Sequence, residues 1–157
     1  MSHSYDEIET IKRNSNTVYR LAFSQTRNKN DADDIYQEVF LRYLKRKPVF
    51  ESDEHEKAWF IRVTLNCSKT HLKSFRNPKF EELDESFEAE EVSKEDLSFA
   101  LNRLPKKYRA VIHLFYYEDM SVSDIAMALE LKEGNVRMLL TRARRRLKEI
   151  LEKEQYL

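Results

Sequence analysis

The sequence predicts an all-α protein made of two small helical domains that are joined by an acidic linker. Its 157 residues include one glycine and three prolines, which leave few positions for the tight turns of β-hairpins. Charge divides the chain into blocks. Residues 1–78 carry 14 basic and 11 acidic side chains, residues 79–98 carry 2 and 9, and residues 99–157 carry 12 and 8. A formal net charge of zero therefore hides two basic ends around an acidic middle.

The three prolines mark the limits of the domains. Pro48 and Pro78 each end a helical pattern, because the residue before a proline avoids the α region. Pro105 suits the first position of a new helix. The acidic stretch between Pro78 and Leu97 has too few apolar residues for a helical stripe. We expect it to be a partly disordered linker. The predicted organisation is a helical domain over 1–78, a linker over 79–96 and a helix-turn-helix domain over 97–157.

A helix is predicted over Asn30–Leu44, "NDADDIYQEVFLRYL". At 100° per residue one side of this helix is an apolar, core-facing arc, formed by Ile35, Tyr36, Val39 and Tyr43. The opposite side carries one leucine among acidic and amide side chains, namely Leu41 among Asp34, Gln37 and Glu38. This patch is either a surface that binds another protein or a scattered surface leucine, and the pattern leaves both open.

The next predicted helix, Ser52–Arg76, begins with acidic residues and ends with basic ones, as the helix dipole favours. One of its faces is basic and polar, with an aromatic ring at the edge: Arg62, Asn66, Lys69, Lys73 and Arg76, beside Trp59. Two apolar flanks border this face, Ile61 with Leu65 and Phe60 with Val63 and Cys67. The face suits phosphates and a stacked base, and a solvated basic face with a buried tryptophan explains it equally well.

The C-terminal part predicts a helix-turn-helix. Ser121 with Asp124 three residues later is close to a capping box and starts a short helix. The turn "LKEG" follows, and the last helix then has an apolar stripe that begins at Val136. Its opposite face is basic and polar and contains Arg137, Thr141, Arg142, Arg145 and Lys148. This arrangement favours DNA binding over a plain helical hairpin.

Several classes of protein are excluded or disfavoured. The four histidines and Cys67 do not have the spacing of metal ligands, and a single glycine cannot build a phosphate-binding loop. We therefore expect no enzyme, no metal, no cofactor and no small-molecule substrate. The N-terminus has no apolar signal core, and no apolar run is long enough to span a bilayer. The expected location is the cytoplasm, without membrane insertion, and Cys67 is expected to be a buried, inert thiol.

Three stretches together resemble the extracytoplasmic-function (ECF) group of the bacterial sigma-70 family. "DADDIYQEVFLRYL" is similar to the polymerase-binding helix of the family's second conserved region. "KAWFIRVTLN" is similar to the segment after it, with Trp59 and Asn66 seven residues apart. Residues 101–147 resemble the fourth region, with a Leu-Pro pair, Arg109, the helix-turn-helix and an Arg-Ala-Arg run. These motifs occur in the family's order and spacing, and together they span nearly the whole chain.

The resemblance implies a sigma factor, which binds core RNA polymerase, recognises the −35 and −10 elements of promoter DNA and promotes DNA opening. The surface that matches the family's polymerase-binding surface is Asp34, Gln37, Glu38 and Leu41. The loop from Lys47 to His55 would hold an unstacked base. The residues that would meet DNA around the melted −10 junction are Trp59, Arg62, Asn66, Lys69 and Lys73. The residues that would face the −35 element are Asn135, Arg137, Met138, Thr141, Arg142 and Arg145.

The same resemblance implies an anti-sigma protein as a further partner. Two other functions remain as alternatives: a stand-alone helix-turn-helix regulator of transcription, and an adaptor that binds only proteins. The N-terminal motifs favour the sigma factor over the regulator, because a simple repressor needs no polymerase-binding helix.

Four positions depart from the family's usual pattern. Glu130 occupies a position where glycine is common, so a positive φ there carries a cost. Met138 and Leu139 replace the usual polar and basic residues of the recognition helix, and Thr70 replaces an aspartate. These differences concern which promoter sequences are preferred. They leave the phosphate-binding charge in place.

Overall fold

The computed structural model describes residues 2–74 and 96–155, and their side chains within 6–70 and 100–153. All regular structure in these ranges is helical. The first three helices are α1 (Ser2–Thr26), α2 (Lys29–Arg46) and α3 (Asp53–Ser74), and we call them the N-terminal unit. The other four are α4 (Asp96–Arg103), α5 (Lys106–Ile112), α6 (Val122–Leu129) and α7 (Glu133–Gln155), and we call them the C-terminal unit. A π-helical turn, His113–Tyr117, extends α5.

The sequence predicted α2, α3, α6 and α7 with approximate bounds. Pro105 is the N-cap of α5 rather than its first residue, and the helix begins at Lys106. The π-helical turn was not predicted. The predicted linker, 79–96, lies outside the described residues except for Asp96, where α4 begins.

The N-terminal unit is built around its own hydrophobic core. The predicted arc of α2 is buried at Ile35, Val39 and Tyr43, and Tyr36 is half-buried against the same core. One apolar flank of α3 completes it, with Phe60 and Cys67 both fully buried. Because this core uses only one flank of α3, the other flank remains available for a second packing partner.

Local caps explain where several helices begin and end. The Asn28 side chain accepts a hydrogen bond of 3.0 Å from the Asp31 N–H and caps α2. Ser121 caps α6 in the same way, with 3.0 Å to the Asp124 N–H, as the sequence predicted. Glu130 ends α6 at φ 59°, so this non-glycine residue carries the conformational cost of a positive φ. Gly134 has no positive φ and lies in the first turn of α7.

The two units pack against each other through one continuous apolar core. Leu21 of α1 with Ala58 and Ile61 of α3 are all at most 3% exposed, and all three join the hydrophobic cluster of the C-terminal unit. Leu65, the other predicted member of this α3 flank, is half-buried against that cluster. The second flank of α3 is therefore covered by the C-terminal unit. We call this arrangement the closed arrangement.

Candidate functional site

The acidic patch on α2 is exposed in the closed arrangement. Leu41 is 65% exposed, although it is a large apolar side chain. Asp34 and Gln37 beside it are also exposed. Glu38 forms an ion pair of 2.6 Å with Arg42, one helical turn away. The structure thus brings together the four residues that the sequence selected and leaves them open to solvent.

Trp59 lies at the edge of an aromatic cluster. Its ring centroid is 4.9 Å from Phe60, 5.9 Å from Phe50 and 6.1 Å from Tyr43, all in edge or tilted geometries. The side chain is half-buried. Because the neighbouring rings position it, Trp59 offers a pre-oriented aromatic surface beside the basic face of α3.

The basic face of α3 is only partly open. Asn66 and Lys69 are exposed and line a cleft of about 630 Å³ between the two units. The side chain of Lys73 lies outside the described residues, and so does Arg76. Arg62 is only partly exposed and binds another part of the chain, and this differs from the free basic stripe that the sequence suggested.

Arg62 is bound to the C-terminal end of α6. Its guanidinium donates hydrogen bonds of 3.2 Å to the Ala128 carbonyl and 3.3 Å to the Met127 carbonyl. The Glu130 carboxylate is 3.7 Å away. The last carbonyls of a helix have no partner within it and carry partial negative charge, so a cation stabilises this end.

The loop between α2 and α3 has mixed exposure. Phe50 packs inward and stacks with Tyr43 at 6.4 Å between ring centroids, whereas Val49 is 87% exposed. His55 Nδ1 accepts a hydrogen bond of 3.0 Å from the Glu51 N–H. This loop was predicted to hold an unstacked base. It has one aromatic side chain, Phe50, packed against Tyr43, and one hydrogen bond, between Glu51 and His55, that connects it to the start of α3.

The outer face of α7 is exposed along its length. Val136 is fully buried and starts the inner stripe, as predicted, and Leu139 is half-buried against the core. Met138 is 40% exposed on the outer side. The other residues predicted for the −35 element are also exposed, namely Asn135, Arg137, Thr141, Arg142 and Arg145.

Arg144, the neighbour of Arg145, contacts the π-helical turn and does not lie on the outer face. Its Nε donates a hydrogen bond of 2.7 Å to the Tyr116 hydroxyl, and its guanidinium lies 5.5 Å from the ring centroids of Phe115 and Tyr116. This arginine therefore holds α7 against the π-helical turn. Arg142 and Arg145 share the outer face with Arg137, which also pairs with Glu133 at 3.1 Å.

A buried carboxylate at the unit interface was missed by the sequence reasoning. Glu118 follows the π-helical turn and accepts two hydrogen bonds of 2.9 Å from Arg20 of α1. His113 Nε2 lies 2.9 Å from the same carboxylate, and Lys57 of α3 donates to the Glu118 carbonyl at 3.4 Å. No sequence pattern indicated this cluster, because its members come from three separate helical segments.

The surroundings of Glu118 change its acidity. Burial by itself would raise the pKa of this carboxyl, but the hydrogen bonds from His113 and Arg20 outweigh burial and lower the pKa from an ordinary 4.5 to about 2. For Cys67 burial dominates and raises the thiol pKa to about 11, which agrees with the inert cysteine that was predicted.

The depressed pKa of Glu118 predicts a pH-dependent stability difference. A group with a lowered folded-state pKa stabilises the fold above its unfolded pKa, and this contribution is lost as the pH falls through the folded value. We expect Glu118→Gln to unfold at lower urea concentration than the wild type at about pH 6, with the gap narrowing below about pH 4.5 and closing towards about pH 2. Asp119→Asn removes the same charge at an exposed neighbour and is the control. A gap that stays constant across this pH range would contradict the prediction.

Within the described part of the chain no helix is both long and apolar enough to cross a membrane. Among the same residues, no group of three or more histidine, cysteine, aspartate or glutamate side chains has the geometry to hold a metal ion.

Comparison with known proteins connects these surfaces to one family. The profile described as Sigma-70 region 2 matches residues 10–77, and the profile described as Sigma-70, region 4 matches residues 94–147. The first match contains the acidic patch and the basic face of α3. The second contains the helix-turn-helix.

Individual relatives agree with these profiles. The chain is 31% identical to the RNA polymerase sigma factor SigV of Bacillus subtilis, with 90% of this chain and 86% of SigV covered. It is 30% identical to the ECF RNA polymerase sigma factor SigE of Mycolicibacterium smegmatis. That match includes 96% of this chain but only 62% of SigE. The fold is similar, at a TM-score of 0.72 and 20% identity, to the sigma factor RpoE of Bartonella quintana, solved with the anti-sigma factor NepR. That match covers 94% of this chain and 97% of RpoE. From the two matched regions and these relatives, the chain belongs to the extracytoplasmic-function group of the sigma-70 family of RNA polymerase sigma factors.

Proposed function

We propose that this chain binds core RNA polymerase, directs it to promoters through −35 and −10 elements, and promotes DNA opening without catalysing a reaction itself. The observation that carries the proposal is the pairing of two separate exposed surfaces on one chain. Leu41 and its acidic neighbours form one, and the outer face of α7 forms the other. A stand-alone DNA-binding regulator would need only the second.

The outer face of α7 is assigned to duplex DNA at the −35 element. A recognition helix enters the major groove and places its N-terminal residues against base edges. Asn135 and Met138 lie in this part of α7 and are exposed. An amide side chain suits adenine, and an apolar side chain suits a thymine methyl. Arg142 and Arg145 lie further along the helix, where we assign them to phosphates.

The −10 assignment rests on α3 and the loop before it. Trp59 offers a ring for stacking, and Asn66, Lys69 and Lys73 follow it along one face of the helix. Single strands are bound by stacking on aromatic side chains combined with a basic groove. Capture of an unstacked base in the loop Lys47–His55 would stabilise the open strand, so opening needs no nucleotide hydrolysis.

The polymerase-binding assignment rests on the α2 patch. An exposed leucine with a charged rim has the form of an interface anchor, in which a few central residues dominate the binding energy. The charges around Leu41 are acidic at Asp34 and Glu38, so we expect a basic rim on the polymerase surface.

Reversal of one charge in this patch should weaken polymerase binding. We expect Glu38→Lys to raise the dissociation constant for core polymerase about tenfold, because a favourable charge contact becomes repulsive. The fold should persist, since the lost pair with Arg42 lies on the helix surface. Glu149→Lys makes the same reversal on an exposed position of α7 and is the control. Fluorescence anisotropy with labelled chain measures both, and equal affinities for the two variants would count against the patch.

Transcription with purified components tests the proposed function as a whole. The chain is mixed with core polymerase and a library of promoter fragments, and the run-off transcripts are sequenced. We expect transcripts that start downstream of a shared pair of motifs. Failure to bind core together with an absence of specific transcripts would overturn the proposal, and DNA binding without core would instead support the regulator.

Three further assignments complete the proposal. The proposed domain limits are 1–78, 79–96 and 97–157. The two matched regions, 10–77 and 94–147, support the division into two domains, although the second match begins inside the proposed linker. The working location is the cytoplasm, where core polymerase and promoter DNA are found. An anti-sigma protein is proposed as a regulatory partner, supported by the fold that the chain shares with RpoE, which was solved with NepR.

A further inference from the structure

We propose that the cleft between the two units is a binding site for a small anion with an aliphatic chain, of which a fatty-acid carboxylate is the simplest case. This inference goes beyond the proposed function, because promoter recognition as described above involves no small molecule. It rests on the size, the apolar lining and the charge of the cleft, and each of these limits the kind of ligand that fits.

The cleft has the size and the position of a ligand site. Its volume of about 630 Å³ lies within the roughly 300–1,000 Å³ that is usual for small-molecule sites. The helix α3 forms one wall, and the opposite wall comes from α5, the end of α6 and the first turns of α7. Such sites occur preferentially at interfaces between domains. A ligand in the cleft would therefore contact both units at once.

The apolar part of the lining is aliphatic. It includes Leu65 of α3, Val111 of α5 and Leu139 of α7. None of the residues that line the cleft, all of them within the described ranges, is aromatic. A nucleobase would find no ring to stack on, so the lining favours a hydrocarbon chain over a nucleotide. Leu131, in the turn before α7, is 38% exposed, and a hydrocarbon chain that covers it removes apolar surface from water.

The charged part of the lining is mainly basic. Four basic side chains and one acidic side chain give a formal balance of three positive charges: Arg62, Lys69, Lys106 and Lys107 against Glu130. The Glu130 carboxylate lies 3.7 Å from the Arg62 guanidinium, so these two charges largely offset each other. The lysines therefore give the cleft its positive sign. A lysine ammonium is a compact point charge, which suits the single charge of a carboxylate head group.

On both walls a lysine lies one helical turn from an aliphatic side chain. Lys69 follows Leu65 by four residues on α3, and Lys107 precedes Val111 by four residues on α5. Residues four apart lie on the same face of a helix. Both lysines are exposed, whereas Leu65 is half-buried and Val111 is fully buried. The inner part of the cleft is thus aliphatic and its margin is cationic, which matches a ligand with a hydrocarbon tail and one anionic head.

Isothermal titration calorimetry of the full chain with decanoate, kept below its micelle concentration, tests the site. We expect one saturable site with a negative heat-capacity change, because aliphatic surface is buried on binding. Affinity should rise about fourfold for each CH₂ added between octanoate and dodecanoate. Decyltrimethylammonium has the same chain length with the opposite charge, and ATP is an anion without an aliphatic chain. We expect both to bind about tenfold more weakly than decanoate.

Variants of the charged margin test the head group. Lys107→Gln should weaken decanoate binding about threefold, and the double variant with Lys69→Gln about tenfold, because exposed ion pairs contribute modestly and separately. Glu130→Gln should act in the opposite direction and strengthen binding about twofold, since it removes the acidic side chain of the lining. Lys132→Gln removes a lysine charge at an exposed position outside the cleft, and we expect no change.

Variants of the apolar lining test the tail. Leu131→Gln should weaken decanoate binding about fivefold, because part of the buried aliphatic contact is lost. Met127→Gln makes a similar change at a 46% exposed position of α6 that does not line the cleft, and it should bind decanoate as the wild type does. Both positions are exposed, so we expect both variants to keep the helical circular dichroism of the wild type.

Three results would each overturn the inference: no saturable binding of decanoate, equal affinity for decyltrimethylammonium, or wild-type affinity in both Lys107→Gln and Leu131→Gln. Neither of these two residues is proposed to contact polymerase or promoter DNA, so both variants should still direct specific run-off transcripts. A wild-type chain that binds decanoate but neither binds core polymerase nor yields specific transcripts would instead count against the proposed function alone.

Discussion

Replacing Arg109 by methionine should lower the free energy of unfolding by about 3–5 kcal/mol, a large share of the stability of a domain of this size. Arg109 is 7% exposed, and its guanidinium is held by backbone carbonyls from two helices and a turn. Nη1 donates to Ser24 at 2.9 Å and Gln25 at 3.1 Å, in the last turn of α1. Nη2 donates to Leu104 at 3.0 Å and Asn102 at 3.3 Å.

The size of this effect follows from what methionine leaves behind. Its side chain fills a similar volume but donates no hydrogen bond, so four carbonyls lose a charged partner. Two of them lie at the C-terminus of α1, where a positive charge also interacts favourably with the helix dipole. The lost free energy of unfolding comes mainly from buried carbonyls that are left without a donor. This penalty is larger than the net contribution of the hydrogen bonds themselves.

Urea denaturation followed by circular dichroism measures the change. We expect the midpoint to fall, with a similar slope if both states keep their compactness. Arg109→Lys should recover only part of the loss, because one ammonium group cannot reproduce the fork of the guanidinium. Arg146→Met, at an exposed position of α7, is the matched control and should be nearly neutral. A loss below about 1 kcal/mol for Arg109→Met would show that water replaces the guanidinium at these carbonyls.

Arg109 also shows where local pattern reasoning stops. The sequence singled it out only through the resemblance to a known family, because an arginine in a short helix is ordinarily a surface residue. Two of its four acceptors are carbonyls about 85 residues earlier in the chain, and backbone acceptors carry no signature in the sequence. The same reason explains why the cluster around Glu118 was not predicted.

Helices with a single buried side were predicted well, because the spacing of apolar residues along the sequence identifies that side. The buried arc of α2 and the inner stripe of α7 are both confirmed. The helix α3 was harder. Its sequence has two apolar flanks, and the second was not interpreted as a surface that packs on another unit. The structure shows that this flank carries Ile61 into the C-terminal core and brings Arg62 against α6. A second apolar flank beside a basic face is therefore the signal that could have indicated the closed arrangement.

The five arginines of α7 lie within ten residues of sequence, yet they divide into different roles in space. Arg142 and Arg145 extend into solvent on the face opposite Val136, whereas Arg144 is held by Phe115 and Tyr116. A count of basic residues therefore overestimates the number available for phosphates. The salt dependence of DNA binding measures that number directly, because each neutralised phosphate contributes about 0.9 to the slope.

The double variant Arg142→Gln with Arg145→Gln should accordingly reduce the slope of log affinity against log salt by about 1.8 and weaken duplex binding about 60-fold at roughly 0.1 M salt. The change should be similar for all duplex sequences, because phosphate contacts position the protein and do not read bases. Arg144→Gln removes a charge from the adjacent position and is the sharpest control. Its effect should fall on the stability of the contact between α7 and the π-helical turn, with little change in the salt slope. If Arg144→Gln changed the slope as much as Arg145→Gln does alone, charge density rather than the orientation of α7 would govern DNA binding.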